Sequence, residues 1–209
     1  RRNGGTGSVT VLGTVSPAGG NLKEPVTEST QKAARCFYAL SQQRADSQRY
    51  PAIDPLDSYS KYLEYPEVVE YLDEKIEKGW VDLVNTGKTI VLRGKEASER
   101  VAVRGGVVVP IGAQDRFGKC ELVDFVILQK DAFDKVDANT PMERQKFMFE
   151  KVLNICDMKF AYSGFQDCID FFKELINVFK QLNYSEWNSA KFRDYCDQID
   201  KLVSAQEAK

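Results

Sequence analysis

The chain contains no histidine. Its own side chains therefore cannot build a Ser-His-Asp or Cys-His nucleophile pair, a two-histidine zinc site or a histidine proton shuttle. It also lacks an excess of positive charge, with 29 Lys and Arg against 31 Asp and Glu and a formal net charge of −2. That balance offers no field to condense on phosphates or anionic lipid, so dedicated nucleic-acid binding is disfavoured. No apolar run approaches the ~20 residues of a membrane helix, and the start Arg1-Arg2-Asn3-Gly4-Gly5 has no apolar stretch of the signal-peptide kind. The cysteines Cys36, Cys120, Cys156, Cys168 and Cys196 are odd in number, widely spaced and never C-x-x-C. They read as reduced, mostly packed thiols, and a cytosolic compartment is expected. A first residue that is Arg, not Met, points to a piece cut from something longer.

What is present suits one or two globular domains: 209 residues, 43% hydrophobic and 29% charged. Val9, Val11 and Val15 share one face at period two within residues 8–16, the pattern of a half-buried strand. A strand needs ladder partners, and the next β-like stretches come only near residues 89–92 and 101–111, so its sheet is expected to lie largely outside this sequence. Pro17-Ala18-Gly19-Gly20-Asn21 reads as a turn. Thr27 is placed to cap a helix over residues 28–48 with Ala33, Ala34, Phe37 and Leu40 as its stripe, ended by the prolines Pro51 and Pro55. Residues 62–82 carry seven acids against two lysines, with Val68, Val69, Leu72 and Ile76 on one helical face. Residues 83–118 read as mixed, interrupted by Gly94, Gly105, Gly106 and Pro110. Residues 120–135 suit a helix through Leu122, Phe125, Val126 and Gln129, although 125–128 would also serve as a buried strand.

The last third is the most legible. Thr140-Pro141-Met142-Glu143 has the form of a capping box, and Met148, Phe149, Val152, Leu153 and Cys156 follow at helical steps. Ser163-Gly164-Phe165-Gln166 repeats that form ahead of Cys168, Ile169, Phe172, Leu175, Ile176 and Phe179. After Ser185 come Phe192, Tyr195, Cys196, Ile199, Leu202 and Val203. Three amphipathic helices of this kind support a bundle.

Two motifs invite a chemical reading. Gly87-Lys88-Thr89 ends like a phosphate loop, but the first glycine of such a loop would fall at Asp82, whose carboxylate repels phosphate. The pairs Asp54 with Asp57 and Asp134 with Asp137 could do acid–base work or hold Mg2+, yet turn and cap roles explain them as well. Neither supplies a nucleophile with an adjacent base.

Read together, Gly7-Ser8-Val9-Thr10, the run Val15 to Thr27 (VSPAGGNLKEPVT), Tyr50-Pro51-Ala52-Ile53-Asp54, Ser58-Tyr59-Ser60 and the run Leu128 to Asp137 (LQKDAFDKVD) resemble the C-terminal part of the catalytic A subunit, or alpha chain, of V-type and archaeal-type ATP synthases. Residues 80–118 match poorly. The resemblance implies a mainly α chain: residues 1–61 as the strand-and-helix edge of an α/β nucleotide-binding domain, and residues 62–209 as a C-terminal helical bundle. It implies a rotary motor that couples ATP hydrolysis or synthesis to proton or sodium transport, with B subunits and central-stalk subunits as partners and a cytoplasmic position peripheral to the membrane. No nucleic acid and no membrane insertion are expected. ATP or ADP with Mg2+ is the implied cofactor of the parent complex. Tyr50 and Phe133 match the aromatics that sandwich adenine, with Pro51 and Gln129 beside them. The resemblance places the phosphate loop, its Mg2+ ligands and the glutamate that orients water upstream of Arg1, so this piece is expected not to hydrolyse ATP by itself. Tyr50 and Lys130 depart from the commoner Phe and Gln. The rival from another class is a free-standing helical interaction domain without catalysis.

Overall fold

The computed structural model describes residues 4, 7–103 and 110–207, with side chains 100–103 excepted. Helices dominate. The N-terminal region holds α1 (Pro25–Ala33), β1 (Cys36–Phe37), α2 (Gln42–Asp46) and β2 (Tyr59–Ser60). Then follow α3 (Pro66–Lys75), α4 (Trp80–Val103), α5 (Ile111–Val123), a π-helical turn at Asp124–Leu128, α6 (Lys135–Ala138), α7 (Met142–Asp157), α8 (Phe165–Asn183) and α9 (Ala190–Gln206).

The core lies among α5, α7, α8 and α9, where Leu122, Val126, Val152, Leu175, Phe179, Leu182 and Ile199 are almost wholly enclosed. Each contributes about 1.5–3 kcal/mol through burial. The α4–α5 seam is so close that a Cβ on Gly94 would sit 2.0 Å from Cys120 Cβ, so no larger residue fits there. Arg144 of α7 is buried as well, and its Nη2 donates to the carbonyls of Leu182 at 2.9 Å and Asn183 at 2.7 Å. A cation at the C-terminus of α8 meets both the free carbonyls and the negative end of the helix dipole.

The mainly α reading and the stripes of α7, α8 and α9 describe this molecule, but several local expectations do not. Residues 7–16 form no strand, and Val9, Val11 and Leu12 face solvent, because among the described residues nothing pairs with them. The helix expected over 28–48 is two helices, α1 and α2, separated by residues 34–41. Here β1 pairs antiparallel with β2 through Cys36↔Ser60 and Phe37↔Tyr59, a contact of long sequence separation that overrides the local stripe. Thr27 is not its cap. It sits inside α1, donating to Glu24 Oε1 at 2.9 Å, while Glu24 occupies the N-cap position. Residues 89–92 are helical, not β-like, within α4, and so are 101–103; residues 104–109 lie outside the described residues. The capping boxes are not realised: Pro141 and Gly164 stand at the N-caps without side-chain cap bonds, and Thr140 Oγ1 instead donates to Asp137 O. The helix expected through 120–135 leaves its course at Gln129, after the π turn.

Candidate functional site

Tyr50 and Pro51 sit at the end of an excursion closed at its base. Leu40 and Ile53 bridge antiparallel, Ser41 N–H donates to Ala52 O at 2.8 Å, and Asp54 N–H donates to Ala39 O at 2.8 Å. Asp54 Oδ1 then accepts the amides of Leu56 and Asp57, which assigns that carboxylate pair to a turn.

This excursion is anchored by charge. Arg44 Nη2 lies 2.8 Å from Asp124 Oδ1, and Arg49 pairs with Glu121 at 2.9 Å and also with Asp124. The Arg49 guanidinium stands 4.6 Å from the Phe125 ring centroid, and Lys180 Nζ stands 4.1 Å from it. Both are within cation–π range. Burial pushes the Glu121 carboxyl above its ordinary range, against the pull of Arg49. Opening such a cluster from one side strands a charge in a poorly hydrated place, which costs about 3–5 kcal/mol where burial is complete.

The acids of this cluster lie on α5 and the π turn, and the chain leaves that turn as the second half of the site. Gln129 N–H donates to Asp124 O at 2.9 Å, closing the turn, and Asn183 Nδ2 braces it from α8 by donating to Val126 O at 3.0 Å. The next amide, that of Lys130, donates to Tyr50 O at 2.9 Å. Two segments eighty residues apart are thus joined backbone to backbone.

Beyond Lys130 the chain is a cross-braced arm. Asp137, 5% exposed, accepts from Lys130 Nζ at 2.9 Å through Oδ1 and from Asp131 N–H at 2.7 Å through Oδ2. Asp134 Oδ1 caps α6 by accepting the amides of Val136 and Asp137, so the pair singled out for acid–base work is structural. Asp131 Oδ1 accepts Phe133 N–H at 2.9 Å. At the end of these bonds Phe133 is 99% exposed, and Tyr50 is 53% exposed. A fixed backbone holding a bare aromatic ring in solvent suits a flat apolar partner. Gln129, the residue before Lys130, has its Oε1 enclosed without a hydrogen-bond partner.

The sequence pattern alone does not reveal Arg44, Arg49, Glu121, Asp124, Asp131 or Asp137 as builders of the site. A signal exists in the acids at 131, 134 and 137, spaced three apart beside a turn. The same pattern missed a neighbouring cleft of about 440 Å³, lined by Pro51, Ile53, Tyr59, Trp80, Leu128 and Phe149 among others. Gly87-Lys88-Thr89 lies inside α4 at this cleft, where a Cβ on Gly87 would come within 3.0 Å of the Phe149 ring. Mid-helix amides are already bonded, so this motif cannot cradle phosphate. Among the described residues no group of three or more His, Cys, Asp and Glu side chains is arranged to hold a metal ion. No described helix is long and apolar enough to cross a membrane.

Residues 1–60, which include the Tyr50 turn, match the ATP synthase alpha/beta family, nucleotide-binding domain. Over 202 residues the chain is 40% identical to the V-type ATP synthase alpha chain of Chlamydia pneumoniae, covering 97% of this chain and 34% of the relative. The chain is a homologue of V-type ATP synthase alpha chains. The alpha chain of Protochlamydia amoebophila is 37% identical over 208 residues, 100% of this chain and 35% of its own length. The chain thus spans about a third of the length of the curated relatives it matches. An ATP synthase subunit of Nanoarcheaum equitans, NeqB, shares the fold at a TM-score of 0.50 and 17% identity, over 68% of this chain and 32% of that one.

Proposed function

We propose that this chain supplies the base-binding slot and the helical domain of the ATP-driven subunit of a rotary V-type ATP synthase, with Tyr50 and Phe133 as the two faces of the slot. The observation that carries the reading is the Lys130 N–H to Tyr50 O bond, which brings the two ring-bearing segments together. The family match over residues 1–60 and the alpha-chain relatives supply the nucleotide. Aromatic faces stack on a base at about 1–3 kcal/mol each in single-strand binders. Pro51 shapes the Tyr50 turn, and the Gln129 amide closes the π turn from which the Phe133 arm departs.

Residues 1–61 then form the edge of the nucleotide-binding domain, and residues 62–209 form the helical domain. The parent assembly hydrolyses or makes ATP, moves protons or sodium through a separate membrane sector, and holds this subunit between B subunits around a central stalk. It lies on the cytoplasmic side, peripheral to the membrane. The residues described here bind and orient the base, and phosphoryl chemistry falls to other parts of the assembly.

In the full-length subunit within its complex, Tyr50→Ala or Phe133→Ala raises the KM for ATP about fivefold or more while kcat changes less, because stacking on a remote ring is uniform binding. A loss of kcat at unchanged KM contradicts the slot.

A further inference from the structure

Helix α8 reaches the arm by a second route. Its C-cap residue, Tyr184, donates through Oη to Asp131 Oδ2 at 3.3 Å, and the other oxygen of the same carboxylate holds the Phe133 amide at 2.9 Å. The Asp131 amide is itself fixed by Asp137. Immediately before Tyr184, the carbonyls of Leu182 and Asn183 are clasped by buried Arg144, and the Asn183 side chain braces the π turn from which the arm departs. The end of α8 is therefore pinned to the core, and the ring of Phe133 hangs from it through one carboxylate. The neighbouring carboxylates facing this hydroxyl are Asp131, Asp134 and Asp137; burial and their charge together push the Tyr184 phenol above its ordinary pKa, so it stays a donor.

We infer that Asp131 and Tyr184 are positioning residues for the base slot, setting the place of the Phe133 ring by linking its backbone to the C-terminal end of α8. This rests on the reading of Phe133 as a slot wall. A ring held by its backbone in the stacking position binds a base without first losing that freedom, so cutting the link reduces affinity for the base without touching the phosphates. The link also gives any displacement of α8 a direct path to the base. Asp131→Asn keeps an Oδ1 acceptor for the Phe133 amide, whereas Asp131→Ala removes both bonds.

The test compares kcat/KM for ATP with that for ribose 5-triphosphate, which has no base, in the full-length subunit assembled in its complex. Tyr184→Phe and Asp131→Ala are expected to cut the preference for ATP by about three- to tenfold, the size of one lost hydrogen bond, with Asp131→Asn intermediate. Ribose triphosphate turnover stays unchanged. A purely structural role would lower both substrates together and leave their ratio alone, which overturns the inference. Phe133→Ala is the control. If it collapses the ratio while Tyr184→Phe and Asp131→Ala do not, the positioning role fails and the slot stands. If Phe133→Ala leaves the ratio intact, the slot itself fails and the inference falls with it.

Discussion

The helices α7, α8 and α9 and the segment 7–61 both carry large apolar residues and use them in opposite ways. In the helices, Val152, Leu175, Phe179 and Ile199 disappear into a shared core. In the segment, Val9, Val11, Leu12, Tyr38, Leu40 and Tyr50 stay exposed. The helices present apolar residues at three- and four-residue steps, and each such stripe meets another apolar surface: α8 packs on both α9 and α5, and α7 on α4, α5 and the π turn. The segment is held by polar devices instead, above all the Arg44 and Arg49 pairs with Glu121 and Asp124. A region organised by a few ionic and backbone bonds keeps its aromatic faces available, which a binding surface requires and a core forbids.

The contrast can be broken most sharply in the core. Phe179→Ala in α8 is expected to cost about 3–5 kcal/mol, read by denaturant unfolding, because the ring is fully enclosed and the cavity cannot collapse. A cost under 1 kcal/mol would put α8 outside the core. Alkali gives a second effect, also carried by the helices. Burial pushes the thiols of Cys120 and Cys156 up to about 12 from an ordinary value near 9. An acid whose folded pKa is raised contributes stability that is complete below the unfolded value and lost as pH climbs toward the folded one. Stability should therefore decline between about pH 9 and 12, and Cys120→Ser with Cys156→Ser should flatten that part of the profile. The smallest effect belongs to the segment: Val11→Ser is expected to change unfolding free energy by no more than about 0.5 kcal/mol, since the side chain touches solvent. A larger loss would mean that this stretch packs where its exposure says it does not.

The same contrast explains what could be read from the residues in order. The stripes of α7 to α9 are local and periodic, and each surfaced intact. In α4, the β-branched run Thr89-Ile90-Val91 and the helix-weakening Gly87 and Gly94 argue locally against a helix. Packing overrides them, since those glycines are where Phe149 and Cys120 press closest. The alternation of Val9, Val11 and Val15 is genuine, but a strand exists only with a neighbour. Tyr50, Pro51, Gln129 and Phe133 became candidates through resemblance, and the structure adds the backbone bond between their segments. Asp131 and Tyr184 escape notice in the sequence, and Asp137 stands out only as a partner for Asp134, because acids and a tyrosine beside a turn look like a solvated loop until their partners, up to fifty-three positions apart, are in place.

The most direct measurement is an experimental structure of the assembled complex with a non-hydrolysable ATP analogue bound. The account predicts the adenine between Tyr50 and Phe133, with ring planes at van der Waals separation, about 3.5–4 Å. An adenine bound elsewhere, with both rings left in water, would contradict it.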